Sequence, residues 1–124
     1  MRCARLGGVA ATDVPRLTPR ARGCCLAVAP PLPAAAADEL AALFKALADP
    51  TRVQMLHMLK AAAEPICVCD FTAAFGLGQP TVSHHLARLK EVGLVTSFKR
   101  GVWSHYMLRD DLTPAGQSAL ALIP

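Results

Sequence analysis

Apolar residues fall first into helical and then into strand spacing, beginning only at about residue 34. In "AAAADELAALFKALAD", Leu40, Leu43, Phe44 and Leu47 recur at i, i+3, i+4 and i+7, one face of an amphipathic helix. Asp49-Pro50 ends that helix and opens the next, an N-cap followed by proline at the first helical position. "TRVQMLHMLKAAA" carries a second stripe, Val53, Leu56 and Leu59 with Met55 or Met58 beside it, and Pro65 breaks it. A short third helix is predicted from about Val68 to Phe75, stopped by Gly76. In "GLGQPTVSHHLARLKEVG", Gly78 or Gln79 caps, Pro80 opens, Val82, Leu86 and Leu89 face inward, and Gly93 closes. The period then changes. "LVTSF", "KRG" and "VWSHYML" read as strand, glycine-bearing turn and strand, a hairpin over 94–108. Thr113-Pro114 caps a last short helix, "AGQSALALI".

The predicted order is α-α-α-α-β-β-α, mainly α with a β-hairpin wing. Two short helices joined by a tight turn and followed by a hairpin describe a winged helix-turn-helix. With Val82, Leu86 and Leu89 inside, the opposite face of the fourth helix carries Thr81, His84 and Arg88, with Gln79 and Ser83 near its start. These are short or planar hydrogen-bonding groups suited to base edges and phosphates in a major groove. Lys99 and Arg100, with Gly101, form the hairpin tip and can reach flanking phosphates.

Charge refines this picture. The chain has 124 residues, a formal net charge of +4 and a sequence pI near 9.0. The excess lies in residues 1–33, where Arg2, Arg5, Arg16, Arg20 and Arg22 face only Asp13. From residue 34 onward the two signs balance, yet Arg88, Lys90, Lys99 and Arg100 face only Glu91 between His84 and Gly101. That local asymmetry is the electrostatic footprint of nucleic-acid binding. Residues 1–33 also hold Pro15, Pro19, Pro30, Pro31 and Pro33 with no sustained period, and read as a flexible N-terminal arm. Residues 34–124 are then expected to form a single DNA-binding domain. No apolar run reaches the roughly 18 residues of a membrane span. Aromatic residues at 5% disfavour a large β-sandwich.

The cysteines are Cys3, the pair Cys24 and Cys25 in the arm, and the pair Cys67 and Cys69 at the predicted start of the third helix. No secretory apolar segment precedes them, so thiols in a reducing cytoplasm suit metal or redox chemistry better than a disulfide framework. On a regular helix residues two apart point about 200° from each other, so Cys67 and Cys69 cannot share one buried face. Joint ligation requires the first turn to open or to stay extended.

"LFKALADPTRVQML", "CVCDF" and "GQPTVSHHLARLKEVGLV" resemble, in order and spacing, the ArsR/SmtB family of metal-sensing bacterial repressors, over about residues 38–110. The resemblance implies a homodimer joined through its first and last helices. It implies double-stranded operator DNA bound in the apo state and released when metal binds. Carried over, Cys67 and Cys69 are thiolate ligands. One arsenic-sensing branch has a third cysteine where this chain has Thr72, and the usual serine before the recognition helix is Gly78. Other branches draw ligands from the arm, which gives Cys24 and Cys25 that role here. The inducer this implies is As(III) or Sb(III), with Cd(II) or Pb(II) as the alternative; "KALADPTR" and "QPTVSHHL" lean towards arsenite by resemblance. The family's other site, built from His and carboxylates on the last helix, has no match in "LTPAGQSALALIP".

Two further readings remain open. The thiols could be a redox switch, closing Cys24 or Cys25 onto Cys67 or Cys69. An enzyme would need a nucleophile and base such as Cys69 with His84 or His85, but no oxyanion motif and no CxxC accompany them. His57 and His105 have no partner at ligand spacing and read as structural or exposed.

Overall fold

The computed structural model describes residues 28–124; Cys3, Cys24 and Cys25, and with them most of the predicted arm, lie outside the described residues. Residues 33–124 form one compact unit. Its elements are α1 (Ala34–Leu47), α2 (Pro50–Ala61), β1 (Ile66–Cys67), α3 (Val68–Phe75), α4 (Gln79–Glu91), β2 (Val95–Arg100), β3 (Trp103–Leu108) and α5 (Pro114–Ala121). This is the winged helix-turn-helix anticipated from the pattern, with one addition. Residues 66–67 form a short strand, so the wing is a three-stranded antiparallel sheet of order β1-β3-β2.

Local chemistry sets the boundaries. Asp49 is extended and its carboxylate accepts from the backbone N–H groups of Thr51 at 2.8 Å and Arg52 at 3.2 Å, closing the open start of α2. Thr113 does the same for α5 through the N–H of Gly116 at 3.1 Å. Gly76 ends α3 in the left-handed conformation at φ 64°, which a side chain would strain. The hairpin turn places Gly101 at φ 66° as the first of its two central residues, the pattern of a type II′ turn matching the twist of the strands.

Met55 and Leu56 from α2, Phe71 from α3, Val82, Leu86 and Leu89 from α4, and Leu94 and Val95 leading into β2 have no exposed side-chain surface. The inward face predicted for α4 is therefore the core of the unit. It holds α4 against α3, where Phe71 stacks on Phe75 at 6.4 Å. Arg52 ties the first helices to α4. Its Nε donates to the Ala46 carbonyl at 2.6 Å, and one terminal nitrogen lies 3.1 Å from Nδ1 of the half-buried His85. Lys60 Nζ donates to the Leu120 and Ile123 carbonyls, fastening α2 to the end of α5.

The stripe of α1 departs from expectation. Leu43 and Ala46 are buried, but Leu40 is 36% and Phe44 60% exposed. No described helix is long and apolar enough to cross a membrane.

Partial desolvation raises the Asp49 pKa, but the N–H bonds from Arg52 and Thr51 and the charges of Arg52 and His85 outweigh it and hold the carboxyl below its ordinary value. A depressed carboxyl pKa contributes stability above the unfolded pKa and loses it as pH falls through the folded one. Asp49→Ala should therefore cost about 1 kcal/mol in urea unfolding at neutral pH, and Asp49→Asn much less. The Asp49→Ala penalty should shrink in acid below the usual carboxylate range. A penalty unchanged in acid would contradict this role.

Candidate metal centre and nucleic-acid interface

Cys67 is both the last residue of β1 and the N-cap of α3, with extended backbone at φ −70° and ψ 147°. The first turn of α3 thus begins after it, and the i, i+2 pair is not wound on one helix. Its sulfur turns over the helix start and accepts from the Cys69 N–H at 3.4 Å, while Asp70 Oδ2 accepts from the Cys67 N–H at 3.2 Å. This reciprocal cap brings Sγ of Cys69 to 2.7 Å from Sγ of Cys67. Both are free thiols, Cys67 only 7% exposed and Cys69 open to solvent. Of the two geometries that allow joint ligation, the turn adopts the extended one.

The acid chemistry of the pair differs from what a helix N-terminus alone suggests. The Cys69 thiol donates to the Cys67 sulfur, and that hydrogen bond, with slight desolvation and the negative charges of Cys67 and Asp70, raises the Cys69 pKa. The helix start does not make Cys69 a ready thiolate. Ligation by this sulfur would have to displace its proton, and any ion affinity would rise with pH.

The two thiols suit a soft ion. On one tetrahedral ion with sulfur at about 2.3 Å their separation would be about 3.8 Å, close to ordinary sulfur–sulfur contact, so neighbouring sulfurs on one side of the turn are placed to share an ion. Thr72, at the position of the third cysteine in one arsenic branch, donates its hydroxyl to the Cys69 carbonyl at 2.7 Å. Among the described residues no three His, Cys, Asp or Glu side chains are gathered as for a metal ion. A third ligand must come from elsewhere or from rearrangement. Cys24 and Cys25 lie outside the described residues.

The residues expected at DNA lie on α4 and the hairpin. Gln79, Thr81, His84 and Arg88 are exposed on α4 and Ser83 is half-buried. Arg88 pairs with Glu91 at 3.4 Å, both side chains more than half exposed, so the pair is worth little and Arg88 can exchange it for a phosphate. Lys99 and Arg100 are exposed beside the turn, and the Arg100 guanidinium sits 5.6 Å from the Phe98 ring centroid. Lys90 Nζ donates to Ser97 Oγ at 2.9 Å, linking α4 to β2.

The architecture is that of a winged helix-turn-helix regulator. Residues 49–97 match the sequence pattern described as "Bacterial regulatory protein, arsR family". An uncharacterized HTH-type transcriptional regulator of Methanocaldococcus jannaschii is 42% identical over 74 residues, 60% of this chain and 82% of that protein. The arsenical resistance operon repressor of Escherichia coli K12 is 47% identical over 66 residues, 53% of this chain and 56% of the repressor. The chain thus spans little more than half of that repressor's length. Among solved structures, the AntR antimony-specific transcriptional repressor superposes with a TM-score of 0.58 at 34% identity, covering 73% of this chain and 78% of that one. A homodimeric winged helix-turn-helix DNA-binding domain from Mycobacterium bovis gives 0.58 at 31% identity, with 73% and 76% covered.

The chain belongs to the ArsR family of bacterial regulatory proteins. By family it is a DNA-binding transcriptional regulator, not an enzyme.

The Cys69 pKa has a direct readout. In the reduced chain Cys69 should alkylate slowly with iodoacetamide near neutral pH, despite its exposure. Cys67→Ala removes the largest cause of the raised pKa and should speed Cys69 labelling severalfold by peptide-mapped mass spectrometry. Equal labelling rates would show that Cys67 does not hold the proton.

Proposed function

We propose that this chain is a metalloregulated repressor that binds double-stranded operator DNA as a homodimer and leaves it when As(III) or Sb(III) occupies Cys67 and Cys69. The observation that carries the reading is the extended cap at Cys67, which sets both sulfurs on one side of the turn, 2.7 Å apart. Cys24 and Cys25 supply the remaining thiolates from the arm. The arsenical resistance repressor among the relatives and the antimony-specific repressor among the structural neighbours favour the metalloid over Cd(II) or Pb(II). The proposal places the protein in the cytoplasm, where its thiols stay reduced.

DNA is held by Thr81, His84 and Arg88 in the major groove, with Gln79 and Ser83 at the start of α4 and Lys99 and Arg100 on flanking phosphates. A soft ion would supply strong bonds to thiolate, in competition with the thiol protons. The chain's residues convert those bonds into movement. An ion held by Cys67 Sγ would compete with the Cys69 N–H for that sulfur and so loosen the start of α3. Phe71, two residues on, is buried in the core shared with Val82, Leu86 and Leu89, so a shift of α3 reaches α4. A 100-fold loss of operator affinity needs about 2.7 kcal/mol of coupling, and DNA must weaken ion binding equally.

Leu40 and Phe44 on α1 and Leu122 after α5, which is 84% exposed, lie on the segments that meet in the proposed dimer. Burying one such side chain contributes about 1.5–3 kcal/mol. Phe44→Glu should therefore convert dimer to monomer in sedimentation velocity. An unchanged dimer would remove this face of α1 from the interface.

The peroxide-switched reading shares the same thiols, but the raised Cys69 pKa works against it, since oxidation follows thiolate character. Fluorescence anisotropy of promoter DNA from the chain's own operon separates the readings, using the reduced full chain with arsenite, antimonite, Cd(II), Pb(II), Zn(II) or peroxide added singly. Release by arsenite or antimonite is the expected result. Release by Cd(II) or Pb(II) alone moves the protein to divalent sensing, and release by peroxide alone to redox sensing. No release by any of them ends the sensing role of the pair.

A further inference from the structure

The sheet sets another donor beside the sulfur pair. β1 pairs with β3 so that Cys67 stands opposite His105, and β2 pairs with β3 so that Phe98 stands opposite the same His105. Directly opposed residues in antiparallel strands project from one face with Cβ atoms about 4.5–5.5 Å apart. Cys67, His105 and Phe98 therefore make one row across the sheet. His105 Nδ1 lies 3.3 Å from the Trp103 carbonyl oxygen. A carbonyl can only accept, so Nδ1 is the donor here and Nε2 is the nitrogen left for an ion. Histidines that ligate metals commonly donate their other ring N–H to a carbonyl in this way. The Phe98 ring stacks on His105 at 5.6 Å and 18°, restraining the imidazole from its other side.

We propose that Cys67, Cys69 and His105 form a two-sulfur, one-nitrogen site for a borderline divalent ion such as Zn(II), built within one protomer and independent of residues 1–33. The proposal rests on the reading that Cys67 and Cys69 ligate. Among the described residues the three donors do not yet surround one point. Closure needs a side-chain rotation of His105 that carries its ring nitrogen to the sulfur pair. Ligation by sulfur would displace the thiol protons. Imidazole suits zinc-like ions, whereas thiolate is the donor for the softest ones. The same sulfur pair would then accept two ion classes, distinguished by whether the further donor comes from β3 or from the arm cysteines. The β3 donor lies in the strand that runs back from the wing turn beside Lys99 and Arg100.

Chelator-competition titration of Zn(II) into the reduced full chain tests this, with His105→Gln, Cys67→Ser/Cys69→Ser and Cys24→Ser/Cys25→Ser variants in parallel. His105→Gln should bind Zn(II) at least tenfold more weakly, and the Cys24/Cys25 variant should match wild type. Wild-type affinity in His105→Gln overturns the site while leaving the thiol reading intact. Loss of affinity in the Cys24/Cys25 variant overturns its independence of the arm. Wild-type affinity in the Cys67/Cys69 variant overturns the thiol reading itself. A readout without substitution is the imidazole ¹⁵N spectrum of the wild-type chain. On adding Zn(II), the His105 Nε2 resonance should move from its free neutral position to that of a metal-bound nitrogen, and an unmoved resonance overturns the proposal.

Discussion

Cys67 occupies two structural roles at once, and the rest of the candidate site depends on that. As the end of β1 it is held in extended backbone by pairing with β3, and as the N-cap of α3 it satisfies a helix N–H with its sulfur. Extended backbone at this one residue puts its side chain on the same side as that of Cys69. Were Cys67 wound into the first turn of α3, the thiols would diverge by about 200° and no ion could take both. Asp70 completes the cap by accepting from the Cys67 N–H. The thiol pair is thus preorganised by ordinary helix-capping chemistry.

The same double role gives a perturbation at Cys67 two ways out. Through α3 it meets the core residues that seat α4, and through β1 it meets the central strand of the wing. Both lead to the groups proposed to hold DNA, the first to Thr81, His84 and Arg88 and the second to Lys99 and Arg100. The interior between them is fully packed around Phe71, Leu86 and Leu89, and close-packed interiors transmit small displacements. The free energy required is modest beside the strength of metal–thiolate bonds, so the demand on the protein is geometric. The Cys69 proton would oppose ligation at low pH, so the proposed sensing would depend on pH as well as on ion identity.

Most of the fold was legible in the sequence because its boundaries are set locally. Asp49-Pro50, Pro80, Gly93 and Thr113-Pro114 act through their own backbone chemistry, and the inward stripe Val82, Leu86 and Leu89 is the buried face of α4. β1 was not legible. It is two residues long, and its partners Tyr106 and His105 are some forty positions away. Periodicity carries no information about a pairing of that kind. The apolar stripe of α1 identified a face without saying what covers it, and Leu40 and Phe44 are left open within the single chain.

The candidate site divides in the same way. Cys67 and Cys69 stand out by spacing alone, and the need for an unwound turn follows from helix geometry. The direction of the Cys69 pKa depends on a sulfur and a carboxylate brought close by the cap, which a general rule about helix starts omits. His105 looked isolated because only strand register places it opposite Cys67. The exposed residues of α4 and the wing tip were readable from the helical face and the turn.

The central claim is that the paired sulfurs at the cap of α3 turn ion binding into operator release. The most direct test compares wild-type chain with the Cys67→Ser/Cys69→Ser variant on operator DNA, titrating arsenite into preformed complexes and following anisotropy. The variant is predicted to bind operator as wild type does and to stay bound at arsenite concentrations that release the wild type. Arsenite-driven release that persists in the variant would contradict the account.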